Sequence, residues 1–90
     1  MKRFAAASLV LLGCVTSAAA DQICITQDPS GTPLNVRARP YGSILGALNN
    51  GVQVRLLDMT TDREGKPWAY IVPRGAGRAG WVYREYIDCD

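Results

Sequence analysis

Along this chain apolar and polar residues alternate with a period of two in several short runs, and Gly, Pro and Asn punctuate the gaps between them. Leu34, Val36 and Ala38 fall on one face of an extended segment whose other face carries Asn35, Arg37 and Arg39. Pro40 has no ladder donor and is expected to end that strand. Val52, Val54 and Leu56 alternate with Gln53 and Arg55, the cleanest half-buried pattern in the chain. After Pro67, the residues Trp68, Tyr70 and Val72 share one face and Ala69 and Ile71 the other. A Gly-rich tip over 73–80 leads into Trp81-Val82-Tyr83 as the returning partner strand. The run 23–26 predicts a short first strand, and Ile44 and Leu48 are expected to tuck under the fold. The stretch 58–66 reads as a polar connection, and 84–87 as one tight turn. No stretch supports an amphipathic helix. Five or six short strands in so few residues predict an all-β fold, a small closed barrel, because closure removes exposed edges.

The first 20 residues follow a different pattern. A basic start at Lys2 and Arg3, an apolar run from Ala5 to Val15, and small residues ending in Ala18-Ala19-Ala20 predict an export signal cleaved after Ala20. The run is too short for a bilayer, which needs about 20 apolar residues. Leu11-Leu12-Gly13-Cys14 loosely resembles a lipoprotein cleavage box, in which a lipidated Cys14 would hold the domain at a membrane. Soluble export is the favoured expectation; a periplasmic or secreted domain of residues 21–90 then makes no membrane contact.

Removing the signal changes the arithmetic. The whole chain has 90 residues, ten Lys+Arg against eight Asp+Glu, three Cys and no His. Without Lys2 and Arg3 the charge falls from +2 to zero, so a basic nucleic-acid footprint is not expected. Cys24 and Cys89 are left at opposite ends of an exported domain, where the oxidising compartment predicts a disulfide between them. In the chain-entropy picture a loop of this length contributes roughly 4 kcal/mol. That matters for a small core, which is marginal alone.

Four segments, in order, resemble the bacterial Src homology 3 (SH3b) family: Leu34-Asn35-Val36-Arg37, the run from Gly46 to Val54, Trp68-Ala69-Tyr70-Ile71, and Gly80-Trp81-Val82. The resemblance spans about Leu34 to Ile87. It implies an SH3-like β-barrel, and in exported bacterial proteins a targeting module that binds peptidoglycan or its peptides. In eukaryotic SH3 domains the peptide groove uses aromatics from the first loop, the strand matching Trp68 and the last turn. By that similarity Tyr41, Trp68 and Tyr86 are the ligand-binding positions, with Tyr83 as a neighbour. The Cys24/Cys89 pair and the longer, charged 58–66 segment depart from the family pattern.

The candidate chemistry points away from catalysis. Without histidine there is no Ser–His or Cys–His pair and no His-bearing zinc site, and no cofactor or metal is expected. Ser30 and Ser43 lie in turns without a base, and no carboxylate pair shares a strand face near a cleft. The run 75–80 spells G-x-G-x-x-G, but a strand rather than a helix follows it, so it reads as a hairpin tip and not a dinucleotide site. Strand alternation sets the rings of Trp68, Tyr70, Trp81 and Tyr83 opposite Ala69, Ile71 and Val82, lining the outside of the fold as a binding groove would. Cross-strand packing of those rings is the alternative. Most of the arginines and acids read as solvated, with Arg74 and Arg78 at one tip able to meet an anionic partner. The expected function is a non-catalytic binding module for cell-wall peptidoglycan or its peptides. The alternative is a protein–protein interaction module or accessory subunit of an envelope complex. A small enzyme or an inhibitor, with 58–66 as its only protruding loop, ranks last.

Overall fold

The computed structural model describes residues 22–89; the export segment expected over 1–20, with Cys14, lies outside them. The strand with the strongest alternation is also the longest and organises the rest. This strand, β4 (Gln53–Thr61), pairs antiparallel with β1 (Gln22–Thr26) on one side and β5 (Pro67–Pro73) on the other. The remaining elements are β2 (Leu34–Arg37), β3 (Ile44–Leu48), β6 (Gly80–Tyr83), a 3₁₀ turn (Arg84–Tyr86) and β7 (Ile87–Cys89). All seven strands join one antiparallel sheet in the order β3-β2-β6-β5-β4-β1-β7.

The all-β class is as the alternation predicts, but the closed barrel of five or six strands is not what forms. The sheet has seven strands and stays open, with β3 and β7 at its two edges. The β7 edge is handled without closure. β7 is three residues long, and Cys89 sits directly opposite Cys24 in the β1–β7 register. The two cysteines form the expected disulfide, with Cα atoms 4.3 Å apart across a spacing of 65 residues. That separation suits a directly opposed antiparallel pair outside the ladder hydrogen bonds.

The 58–66 segment is also a correction. Most of it is strand: β4 continues through Asp58, Met59, Thr60 and Thr61, each opposite a residue of β5 from Tyr70 back to Pro67. A register shift between Leu56 and Asp58 leaves Leu57 as a bulge, where the strand bends out of the core-forming part of the sheet. The residues beyond the bulge are all exposed, so backbone pairing rather than apolar burial holds them. Only 62–65 remains as a turn, closed by Asp62 N–H donating to Lys66 O at 3.0 Å and Gly65 N–H to Asp62 O at 3.0 Å.

One face of the sheet carries the core, made of Val36, Val54, Ala69, Ile71 and Val82 with Cys24, Leu34, Leu48, Leu56 and Ile87 around them. Most of these are the inward positions that alternation assigns. Ile44 is one exception: it is 54% exposed, because Leu45 is skipped where Val36 faces Gly46 and Arg37 faces Ile44, and the bulge turns the end of β3 away from the core. Ala38, past the end of β2, is another. β2 ends at Arg37 rather than reaching Arg39, since Ala38 N–H already turns to Ser43 O at 2.9 Å. Gly80 is required where β6 starts against β2: a Cβ there would lie 2.7 Å from Arg37 O. Buried Thr26 donates to Asn49 O at 2.7 Å and accepts from Val52 N–H at 2.9 Å, pinning the 49–51 turn under β1.

Candidate functional site

The four carried-over aromatics come together, Trp68 and Tyr83 on the face of the sheet opposite the core, Tyr41 over them, and Tyr86 beside Tyr83 where it also packs against the core. Trp68 and Tyr83 are direct cross-strand partners on β5 and β6, with ring centroids 4.3 Å apart. Tyr86, delivered by the 3₁₀ turn that follows β6, meets Tyr83 edge-on at 5.3 Å. Tyr41 arrives from the loop between β2 and β3 and stands edge-on to Trp68 at 5.0 Å and to Tyr83 at 6.4 Å. Edge-on contacts of this kind add to the burial energy through the ring quadrupoles.

Their exposure differs from the sequence expectation at one position. Strand alternation sets Trp68 on the outside of the fold, and it is on the non-core face, yet it is only 1% exposed. Tyr41 covers it, and Tyr41 itself is 52% exposed. The surface ring of the cluster is therefore Tyr41, with Trp68 as its base.

The loop carrying Tyr41 is built for that placement. Tyr41 has φ +59°, a left-handed conformation that tyrosine rarely takes. Gly42 N–H donates to Arg39 O at 2.7 Å, and the Arg37 guanidinium donates to Gly42 O at 3.0 Å, so the turn is closed from both sides. Arg37, read from sequence as a solvated charge, is thus half-buried and structural. Strain of this sort persists where neighbours over-determine it, and such places cluster at binding sites.

Asp62 is the hub that sequence reading missed. Its Oδ2 accepts from Trp68 Nε1 at 2.9 Å, and its Oδ1 accepts from the backbone N–H groups of Glu64 at 2.8 Å and Lys66 at 3.0 Å. The Tyr41 hydroxyl lies near enough to the same carboxylate for each group to shift the other's titration. An ionised carboxylate has about four acceptor sites, and these three N–H donors take most of them. The Trp68 hydrogen bond, followed by the two backbone N–H groups and Tyr41, holds the Asp62 carboxyl below its ordinary value against partial desolvation. Partial desolvation first, and then the Asp62 charge and hydrogen bond, push the Tyr41 hydroxyl up to about 12. The sequence signal for Asp62 was available: a tryptophan that packs inward needs an acceptor for its N–H, and the adjoining turn supplies one.

Lys66 and Glu85 complete the far side. The Lys66 ammonium lies 4.5 Å from the centre of the Tyr83 ring and pairs with the Glu85 carboxylate. The Glu85 hydrogen bond raises the Lys66 ammonium above its ordinary value, with desolvation working against it.

Two clefts flank the cluster. The larger, about 520 Å³, lies between Pro40-Tyr41 and the β4–β5 turn, with Thr61, Asp62, Arg63 and Glu64 as its opposite wall. The smaller, about 90 Å³, runs along the other side of Trp68 past Tyr83 and Tyr86 to Pro33 and Asn35. Tyr41 over Trp68 forms the ridge between them. Tyr70 and Trp81, two residues along the same strands, form a separate edge-on pair at 5.4 Å that lines neither cleft. Compared with protein-family models, with curated proteins and with solved structures, the chain finds no match in any of the three.

Proposed function

We propose that this chain is an exported, non-catalytic binding module related to the SH3b domains, and that it holds cell-wall peptidoglycan or its peptides across the Tyr41–Trp68 ridge. The observation that carries this reading is the preorganised ridge itself. An exposed tyrosine, held in a left-handed backbone and seated edge-on over Trp68, stands between two clefts on the face the core does not use. Rigid rings supply contact area with little entropy left to lose, which suits a carbohydrate ring or an extended peptide. Arg63 and Glu64 on the opposite wall add one charge of each sign for a zwitterionic or amide-rich ligand. The Cys24–Cys89 disulfide supports an oxidising compartment, in keeping with a periplasmic or secreted protein.

Retention of the purified protein on isolated cell-wall sacculi tests the reading. Wild type is expected to be retained, and Tyr41→Ala to lose about tenfold in affinity, the range of an aromatic hot spot. Tyr70→Ala, outside both clefts, is expected to bind as wild type does. Absence of retention, or equal retention of wild type and Tyr41→Ala, overturns it.

A further inference from the structure

The two edges of the sheet are not equally protected. β7 is three residues long, carries Asp88 at its centre and is cross-linked to β1. β3 has five residues, Ile44-Leu45-Gly46-Ala47-Leu48, with no charge and no proline, and it pairs only with β2. Among the described residues no strand covers its outer side. Proteins usually blunt an edge with lysine, proline, a bulge or extreme shortness, and β3 has only the bulge at Leu45, near its start. Ile44 at its start is 54% exposed.

Charge singles out the same edge. The β2–β3 hairpin (34–48) together with the β5–β6 tip and β6 (73–83) holds Arg37, Arg39, Arg74 and Arg78 and no Asp or Glu. The acids of the described residues, Asp28, Asp58, Asp62, Glu64, Glu85 and Asp88, all come from other segments. The tip folds onto β3. A Cβ on Gly77 would lie 2.8 Å from the Leu48 side chain, and one on Gly46 would lie 3.6 Å from Arg78 Cγ. The Arg78 stem therefore passes close to the middle of the edge strand, beside the place that Gly46 leaves empty.

We propose that β3 is a docking edge for an extended acidic polypeptide segment, which adds to the sheet as an eighth strand with its carboxylates toward Arg78. Backbone ladder bonds to β3 supply the affinity, and the arginine supplies the preference for acidic side chains. A second copy of the chain is the poorer occupant, because edge-to-edge pairing about Gly46 would bring two Arg78 side chains together. The proposal does not rest on the cell-wall reading, since it uses neither Tyr41 nor the clefts.

A short peptide alternating glutamate with valine serves as the probe, followed through the backbone amide signals of the intact protein by NMR. The expected result is perturbation and slowed hydrogen exchange over 44–48, none with a lysine–valine peptide, and none with a glutamate–valine peptide N-methylated at alternate residues. Arg78→Glu is expected to weaken binding at least about fivefold at low salt, with its unperturbed amide spectrum showing an intact fold. Equal binding of the N-methylated peptide would mean a simple anion-binding patch and overturns the strand assignment. Failure of the acidic peptide to bind, or perturbations centred on Tyr41 instead of 44–48, also overturns it. So does peptide-free protein that is dimeric with 44–48 already protected.

Discussion

Trp68 and Trp81 stand on the same face of the same two-strand ladder, opposite Tyr83 and Tyr70 respectively, and their fates diverge. Trp68 is buried, capped by Tyr41 and bound through its indole N–H to Asp62. Trp81 is half-buried against Tyr70. The strands treat the two alike. What separates them is that the β2–β3 loop, through Tyr41, and the β4–β5 turn, through Asp62, both reach Trp68. Burial on the outer face of this sheet is thus made by connections, and a site forms where two of them meet.

Truncating each ring is the strongest way to break that comparison. Trp68→Ala removes a fully buried indole and leaves Tyr41 without a floor, so a loss of about 3–5 kcal/mol in unfolding free energy is expected. Trp81→Ala removes a half-exposed ring and is expected to cost about 1–2 kcal/mol. Chemical denaturation of both variants measures the difference. Equal losses would mean that the two rings are packed alike and that the loop cover contributes nothing.

The alternation of Leu34/Val36, Val54/Leu56 and Ala69/Ile71 against their polar or aromatic neighbours gave away which face builds the core, because side-chain direction in a strand is local. The Cys24–Cys89 pair was legible for a different reason: compartment and count left one pairing. What alternation could not carry is anything set by a neighbour distant in sequence. Asp58 to Thr61 are exposed throughout, so no apolar signal marked them as strand, and only their pairing with β5 makes them one. Whether the sheet closes depends on where β3 and β7 end up, which no local pattern records. Trp68 was assigned to its correct face and to the wrong exposure for the same reason: the cover comes from Tyr41, 27 positions away in the chain.

Removing the hub sharpens the comparison with a smaller effect. Asn in place of Asp62 has one acceptor oxygen and no charge, so it cannot serve Trp68, Tyr41 and two backbone N–H groups together. Asp62→Asn is therefore expected to lower the melting temperature by less than Trp68→Ala, and to shift the indole emission of Trp68 while leaving that of Trp81 in place. Paired spectra in the Trp81→Phe and Trp68→Phe backgrounds assign the shift. A shift confined to Trp81 would contradict the hub.

The same carboxylate predicts a pH dependence. Its folded-state value lies below the ordinary 3.8, so the unfolded chain takes up a proton before the folded one does. The stability it contributes is fully present above about pH 5, and it declines as pH falls past 3.8 and through the lower folded-state value. Melting temperatures of wild type and Asp62→Asn are expected to converge on acidification over that window. Curves that stay parallel down to the acid limit would show that the carboxylate is not held by Trp68 and its neighbours.

The finest test reads the exposed ring of the pair. The Tyr41 hydroxyl is pushed up to about 12 from 10.0, first by desolvation and then by the charge and hydrogen bond of Asp62. Ionising it would set a phenolate against a carboxylate. The difference between ultraviolet tyrosinate titrations of wild type and Tyr41→Phe isolates this one group. Its midpoint is expected near 12 in wild type and lower in Asp62→Asn, though still above 10.0, because desolvation survives the substitution. A midpoint that does not move in Asp62→Asn would mean that Tyr41 rests over Trp68 by packing alone. The ridge would then be set by the left-handed backbone at Tyr41, and the β4–β5 turn would serve Trp68 without serving the ring above it.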